Sequence, residues 1–133
     1  MIMTIKDLVP YQPALELKKL GFREPCFGYY DCERDFKFVP NKTKFLECEI
    51  AAPTFTAAFR FFREKFDWQF SVEATSDQHN RELGYNYWIW NHKTGEEYHT
   101  MPKNRPSGDW EYKTYEEADL AGLNKLIEIV KNK

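Results

Sequence analysis

The run from Ala52 to Phe66, Ala-Pro-Thr-Phe-Thr-Ala-Ala-Phe-Arg-Phe-Phe-Arg-Glu-Lys-Phe, constrains the fold of this chain more than any other stretch. Pro53 closes the extended segment before it, and Thr54 can accept a hydrogen bond from a free amide of a first helical turn. Phe55, Ala58, Phe59, Phe62 and Phe66 then recur at i, i+3, i+4, i+7 and i+11, the spacing of one helix face. Burying each of these rings contributes about 2 to 3 kcal/mol, so the remaining elements are expected to cover a phenylalanine stripe on a central helix.

Ahead of it, Ile2 to Pro10 is a lead-in and Pro13 favours a first helical turn, continued by Ala14 to Leu20. Gly21 suits the left-handed residue that closes a helix, with Phe22 folding back on the last turn. Cys26 to Tyr30 and Phe36 to Val39 are aromatic-rich runs joined by the polar Asp31 to Asp35, which predicts a hairpin. Pro40 to Lys44 should break the chain again. Leu46, Cys48 and Ile50 alternate with Glu47 and Glu49, which predicts a strand with an acidic, solvated face.

Beyond the central helix, Trp68, Phe70, Val72 and Ala74 alternate with Gln69, Ser71 and Glu73, the clearest strand pattern in the chain. Ser76 to Gly84 reads as a loop, Tyr85 to Asn91 as a strand, Lys93 to Glu96 as a turn and Glu97 to Met101 as the returning strand. Pro102 to Gly108 is an excursion, and Asp109 to Lys113 adds a short strand. Thr114-Tyr115-Glu116-Glu117 fits a capping box opening a last helix with Leu120, Leu123, Leu126, Ile127 and Val130 on its apolar face. Acidic residues in its first turn and Lys131 and Lys133 at its end suit the helix dipole. The expected fold is therefore α+β: one compact domain over residues 1–133, with an antiparallel sheet of about five strands and three helices in the order α-β-β-β-α-β-β-β-α.

Several function classes lose support from composition. Nineteen basic against twenty-one acidic residues give a net charge of -2, which argues against a strong sequence-independent hold on nucleic-acid phosphates. No apolar run has the length of a membrane span, and Met1 to Pro10 lacks the pattern of a signal peptide, so no membrane association and a cytoplasmic setting are expected. Cys26, Cys32 and Cys48, odd in number and irregularly spaced, suit reduced, buried thiols. With His79, His92 and His99 they lack metal-ligand spacing. Neither a nucleophile elbow nor a glycine-rich phosphate loop is present among six glycines, so a non-enzymatic protein without metal or cofactor is expected.

The segments Leu20-Gly21-Phe22 with Glu24-Pro25-Cys26 and Gly28-Tyr29-Tyr30, Ala52-Pro53-Thr54 with Ala58-Phe59-Arg60 and Phe62-Arg63-Glu64-Lys65, and Tyr115-Glu116-Glu117-Ala118 with Leu123 and Lys125 to Lys131 form a wider pattern. In that combination the chain resembles a family of small uncharacterised proteins found in Bacteroidetes genomes and their phages. The resemblance implies a phage or mobile-element setting, in which small accessory proteins act by binding host or phage macromolecules.

Aromatic residues make up 17% of the chain, and the densest group is in the strand Tyr85 to Asn91. Tyr85, Tyr87 and Ile89 point to one side, and Asn86, Trp88 and Trp90 to the other. Two readings stay open, a strand covered on both faces and a strand whose second ring set forms a binding surface. Tyr85, Tyr87, Trp88 and Trp90 are accordingly the candidate interaction residues, for a protein partner or a homodimer. The alternative is nucleic-acid binding. From Thr54 onward the order helix, three strands, helix is similar to that of the double-stranded RNA-binding domain, with Arg60, Arg63 and Lys65 as the local basic cluster. Against it, that family has lysines at the start of its last helix, where this chain has Tyr115, Glu116 and Glu117.

Overall fold

The computed structural model describes residues 4–42, 44–76, 83–100 and 111–133. The expected α+β class is observed, with three helices and six strands in the expected order: α1 (Tyr11–Lys19), β1 (Cys26–Tyr30), β2 (Phe36–Lys42), β3 (Ile50–Ala52), α2 (Phe55–Phe66), β4 (Trp68–Ser76), β5 (Leu83–Asn91), β6 (Glu97–His99) and α3 (Tyr115–Lys131). The strands form two antiparallel sheets of three, ordered β2-β1-β3 and β4-β5-β6, instead of one sheet of about five. Two compact units result, Met1–Phe61 with Ile127–Lys133, and Phe62–Leu126.

In the first unit the lead-in is tied down by backbone pairing. Leu8 bridges Thr54, and the Val9 amide donates to the Pro53 carbonyl at 2.8 Å. The buried Tyr30 hydroxyl donates to the Val9 carbonyl at 2.9 Å, which anchors the entry to α1 on β1. α1 ends as its sequence implies: Gly21 takes φ 102°, the Phe22 amide donates to the Leu17 carbonyl, and Phe22 is buried. β1 pairs with β2 through Tyr30↔Phe36 and with β3 through Tyr30↔Ile50. Gly28 suits this position because a Cβ there would lie 2.5 Å from the Phe36 ring and force it to shift.

Three local expectations fail in this unit. Pro40 lies inside β2 and does not end it, which is tolerated because β2 is an edge strand whose outer amides need no partner. The alternation from Leu46 to Ile50 does not make a long strand. Glu47 and Cys48 form a turn, β3 begins only at Ile50, and Leu46 is exposed. Glu49 is buried instead of solvated, since its Oε1 accepts the Leu46 amide at 2.7 Å and pairs with Lys42 Nζ at 3.4 Å. The thiol reading also fails for two of three cysteines. Cys32 and Cys48, both exposed, are joined as a disulfide with Cα atoms 5.0 Å apart, whereas Cys26 is a buried free thiol. Disulfides persist in oxidising settings, so these cysteines no longer support a reducing compartment.

α2 starts where expected, the Thr54 hydroxyl accepting the Ala57 amide at 3.1 Å. Its buried face is rotated from the predicted stripe toward Phe61. Ala58 and Phe62 are fully enclosed, and Phe61, absent from the predicted stripe, is buried with its ring 5.4 Å from Phe22 in edge-to-face contact. Phe55, Phe59 and Phe66 are half-buried.

In the second unit β4 and β5 pair without interruption from Trp68↔Asn91 to Ser76↔Leu83, and β6 pairs with β5 from Trp88↔His99 to Trp90↔Glu97. β5 begins at Leu83, inside the stretch expected to be loop. Residues 77–82 of that loop, the excursion at 102–108 and Asp109–Trp110 of the expected short strand lie outside the described residues. Of that strand, Tyr112 forms an isolated bridge with Tyr85. The capping box of α3 is modified: Thr114 Oγ1 accepts the Glu117 amide at 3.1 Å, while Glu117 Oε2 accepts the amide of Lys113, one residue earlier than the motif implies. Among the described residues no helix is long and apolar enough to cross a membrane.

Phe62→Ala is expected to cost about 3 to 5 kcal/mol, because it empties a fully enclosed ring site, and Phe59→Ala distinctly less. Urea denaturation that ranks them the other way would place the buried face of α2 elsewhere. Reducing Cys32–Cys48, or replacing both by serine, is expected to lower stability by about 3 kcal/mol, the chain-entropy value for a loop of roughly 15 residues. Denaturation midpoints unchanged by reductant would mean that the bond constrains nothing in the unfolded chain.

Candidate interaction surface

Cross-strand partners share a face, so the register of β4-β5-β6 assigns every ring to a side. Trp68, Phe70 and Val72 of β4 share one face with Tyr85, Tyr87 and Ile89 of β5 and Tyr98 of β6. This is the face taken by α3. Gly122 sits so close to the Phe70 ring that a Cβ there would collide with it, Lys125 Nζ lies 5.1 Å from the Tyr98 ring centroid, and Tyr115 meets Tyr85 edge-to-face at 5.9 Å. Tyr87 stacks on Tyr112 at 6.1 Å. Tyr85 and Tyr87, proposed from sequence as interaction residues, are thus placed with the helix-covered set, each half-buried.

Trp88 and Trp90 occupy the opposite face, beside Gln69, Ser71 and Glu73. Their rings lie 4.5 Å apart, and His99 stacks on Trp88 at 5.2 Å with an interplanar angle of 17°. His99 Nε2 is in turn 3.2 Å from Glu97 Oε2. Both tryptophans are half-buried, and across from them β4 supplies the short Ser71 and the polar Gln69 instead of large apolar cover. The Trp88 indole nitrogen is enclosed and has no hydrogen-bond partner among the described residues. An amphipathic ring row of this kind offers contact area at small entropic cost.

Residues that the sequence did not single out hold this surface in place. Asn86 is buried, and its Oδ1 accepts the Glu111 amide at 3.0 Å and the Thr100 hydroxyl at 3.3 Å. Thr100 Oγ1 also accepts the Tyr87 amide at 2.9 Å. Asn91 organises the turn to β6: its Oδ1 accepts the Lys93 and Thr94 amides, and its Nδ2 donates to the Phe66 carbonyl at 3.3 Å. The signal for Asn91 was present, since an Asn opening the turn Asn91-His92-Lys93-Thr94-Gly95 can accept backbone amides two and three residues on through its side chain. Nothing local in the sequence marks Asn86, whose partners are 14 and 25 residues away.

The structure does not bring the alternative basic cluster together. On a helix with 3.6 residues per turn, Arg63 projects roughly 60° from Arg60, but Lys65 roughly 140° from it. Arg60 is paired with Glu24 at 3.6 Å, and Lys65 lies 5.5 Å from the Phe66 ring. Glu116 and Glu117 stand exposed in the first turn of α3, where a phosphate would meet repulsion. Burial, and then the charge of Glu24, push the Cys26 thiol up to about 12, which disfavours its reactive thiolate form. Among the described residues no group of His, Cys, Asp and Glu is arranged to hold a metal ion; His79 lies outside them. Comparison with protein-family models, curated proteins and solved structures gives no match to this chain.

One titrating group on α3 gives a direct test of the packing. Burial, and then the charge of Glu116, raise Asp119 to about 6 from 3.8. Between those values the folded chain keeps a proton that the unfolded chain has lost. The contribution of Asp119 to stability therefore falls as pH rises through that window. Asp119→Asn is expected to remove this part of the pH slope and to be at least as stable as the parent at pH 7. Parallel pH–stability curves for the two proteins would show that Asp119 is solvated.

Proposed function

We propose that this protein is a non-enzymatic interaction module that associates with a second copy of itself through the Trp88–Trp90–His99 face of β4-β5-β6. The observation that carries this reading is the half-exposed tryptophan row on the sheet face opposite α3. Large amphipathic rings at the centre of a flat surface are the residues most often found to dominate association energy. Two-fold pairing is the simplest closure, because each copy then supplies the same rings to the other. A phage or mobile-element setting is supported by the sequence resemblance alone. A cytoplasmic setting would favour the reduced form of Cys32 and Cys48, so association is to be measured in both redox states.

Light scattering across a concentration series is expected to give a dimer for the parent, with association weakened at least tenfold in Trp88→Ser, Trp90→Ser. Circular dichroism checks that the variant keeps its fold. A parent that stays monomeric at every concentration in both redox states, or a variant that dimerises as tightly as the parent, overturns the reading.

A further inference from the structure

The first unit contains a cleft of about 690 Å³, a volume typical of small-molecule sites. Its walls come from α1, the segment between α1 and β1, the loop at 44–49 and β3. Phe22 lies at its buried base, Phe45 is half-buried, and Leu46 stands 64% exposed at the rim. Three cations, Lys18, Arg23 and Lys44, also line it.

These cations are not spent on the cleft's own acids. Arg23 and Lys44 form no ion pair or hydrogen bond among the described residues. Lys18 Nζ donates to the Glu47 and Glu49 carbonyls, which fixes the ammonium in place without neutralising it. The Glu49 carboxylate is already matched by Lys42 and by the Leu46 amide, leaving exposed Glu47 as the one acid in the lining without such a match. The excess is positive, beside aromatic and aliphatic surface.

The walls are built in advance of any ligand. Lys18 ties α1 to the loop, Glu49 folds the loop on itself, and Cys48 bonds the loop to Cys32 at the β1–β2 turn. A cleft held on three sides loses little entropy on binding.

We propose that this cleft is a binding site for a small amphipathic monoanion, a carboxylate carried on an apolar chain or ring. The anionic head pairs with Arg23 and Lys44 at the mouth, and the apolar body covers Phe22, Phe45 and Leu46. The site is distinct from the tryptophan face and does not depend on self-association.

Octanoate serves as probe, with octanol and inorganic phosphate as its two halves. Amide NMR titration of the oxidised protein is expected to give saturable, one-to-one shifts centred on Lys18, Arg23 and Leu46. Octanol and phosphate are each expected to bind at least tenfold more weakly than octanoate. Arg23→Ser, Lys44→Ser should weaken octanoate at least fivefold, and a Lys19→Ser, Lys37→Ser control outside the cleft should leave it unchanged. Both pairs are exposed, and unchanged amide dispersion confirms that each variant folds. The proposal is overturned by the absence of saturable shifts at the cleft, by octanol or phosphate binding as tightly as octanoate, or by equal affinity in the Arg23, Lys44 variant.

Discussion

The nine-pair ladder between β4 and β5 is the constraint on which the second unit depends. A strand's side chains alternate with period two, so moving this register by one residue would exchange every inward residue for an outward one. In the observed register Phe70 meets Ile89 and Val72 meets Tyr87, all on the face where α3 packs against Phe70, while Trp88 meets Ser71 and Trp90 meets Gln69 on the other. The alternative would place two indoles on the face of α3, where Gly122 already lies close against the Phe70 ring. Close helix–sheet approach thus selects the register, and the register sends the tryptophans outward.

The first unit uses a different device. Its loop at 44–49 is held mainly by side chains reaching backbone groups. Lys18 donates to two carbonyls, and Glu49 accepts an amide three residues back. Burying a carboxylate costs free energy unless it is paired and hydrogen-bonded, and Glu49 has both kinds of partner. With the Cys32–Cys48 bond, these contacts turn a stretch with little regular structure into a fixed wall. The carboxyl of Glu16 plays a comparable part, held below its usual range chiefly by a hydrogen bond from Lys131, 3.2 Å away.

Features set by neighbours in sequence were legible, and those set by distant partners were not. The Thr54 and Thr114 caps, the Gly21 stop, the β1–β2 hairpin and the strand read from Trp68 to Ala74 depend on residues a few positions apart, and all appear in the structure, although burial along β4 declines from Trp68 toward Ser76 instead of alternating. Cys32 and Cys48 looked unpaired because only the β1–β2 turn and the loop before β3 bring them together. Glu47 and Glu49 looked like one strand face, but Lys42 and the Leu46 amide draw Glu49 inward. Phe61 fell outside the ideal stripe, yet Phe22, placed by the helix stop at Gly21, offers its ring an apolar neighbour. The division into two sheets follows from β3 pairing with β1, a choice that strand patterns alone leave undetermined. For the candidate surface, the sequence separated the tyrosines from the tryptophans by parity. It could not say which set α3 would cover.

How a second copy could engage the tryptophans follows from where β5 lies. β5 is the middle strand, with β4 on one side and β6 on the other, so its backbone groups are occupied and its rings can be reached only from above the sheet. Joining two copies edge to edge along β4 would leave Trp88 and Trp90 uncovered. It would also bring two copies of the exposed Glu73, in the middle of β4, toward each other, and a charge on an edge strand is a common protection against such pairing. Packing face on face instead covers the indoles and leaves Glu73 and Glu97 free to sit at the polar rim. Association of that kind draws its energy from desolvated rings at the centre. It should therefore persist at high salt, where contacts between exposed charges are screened.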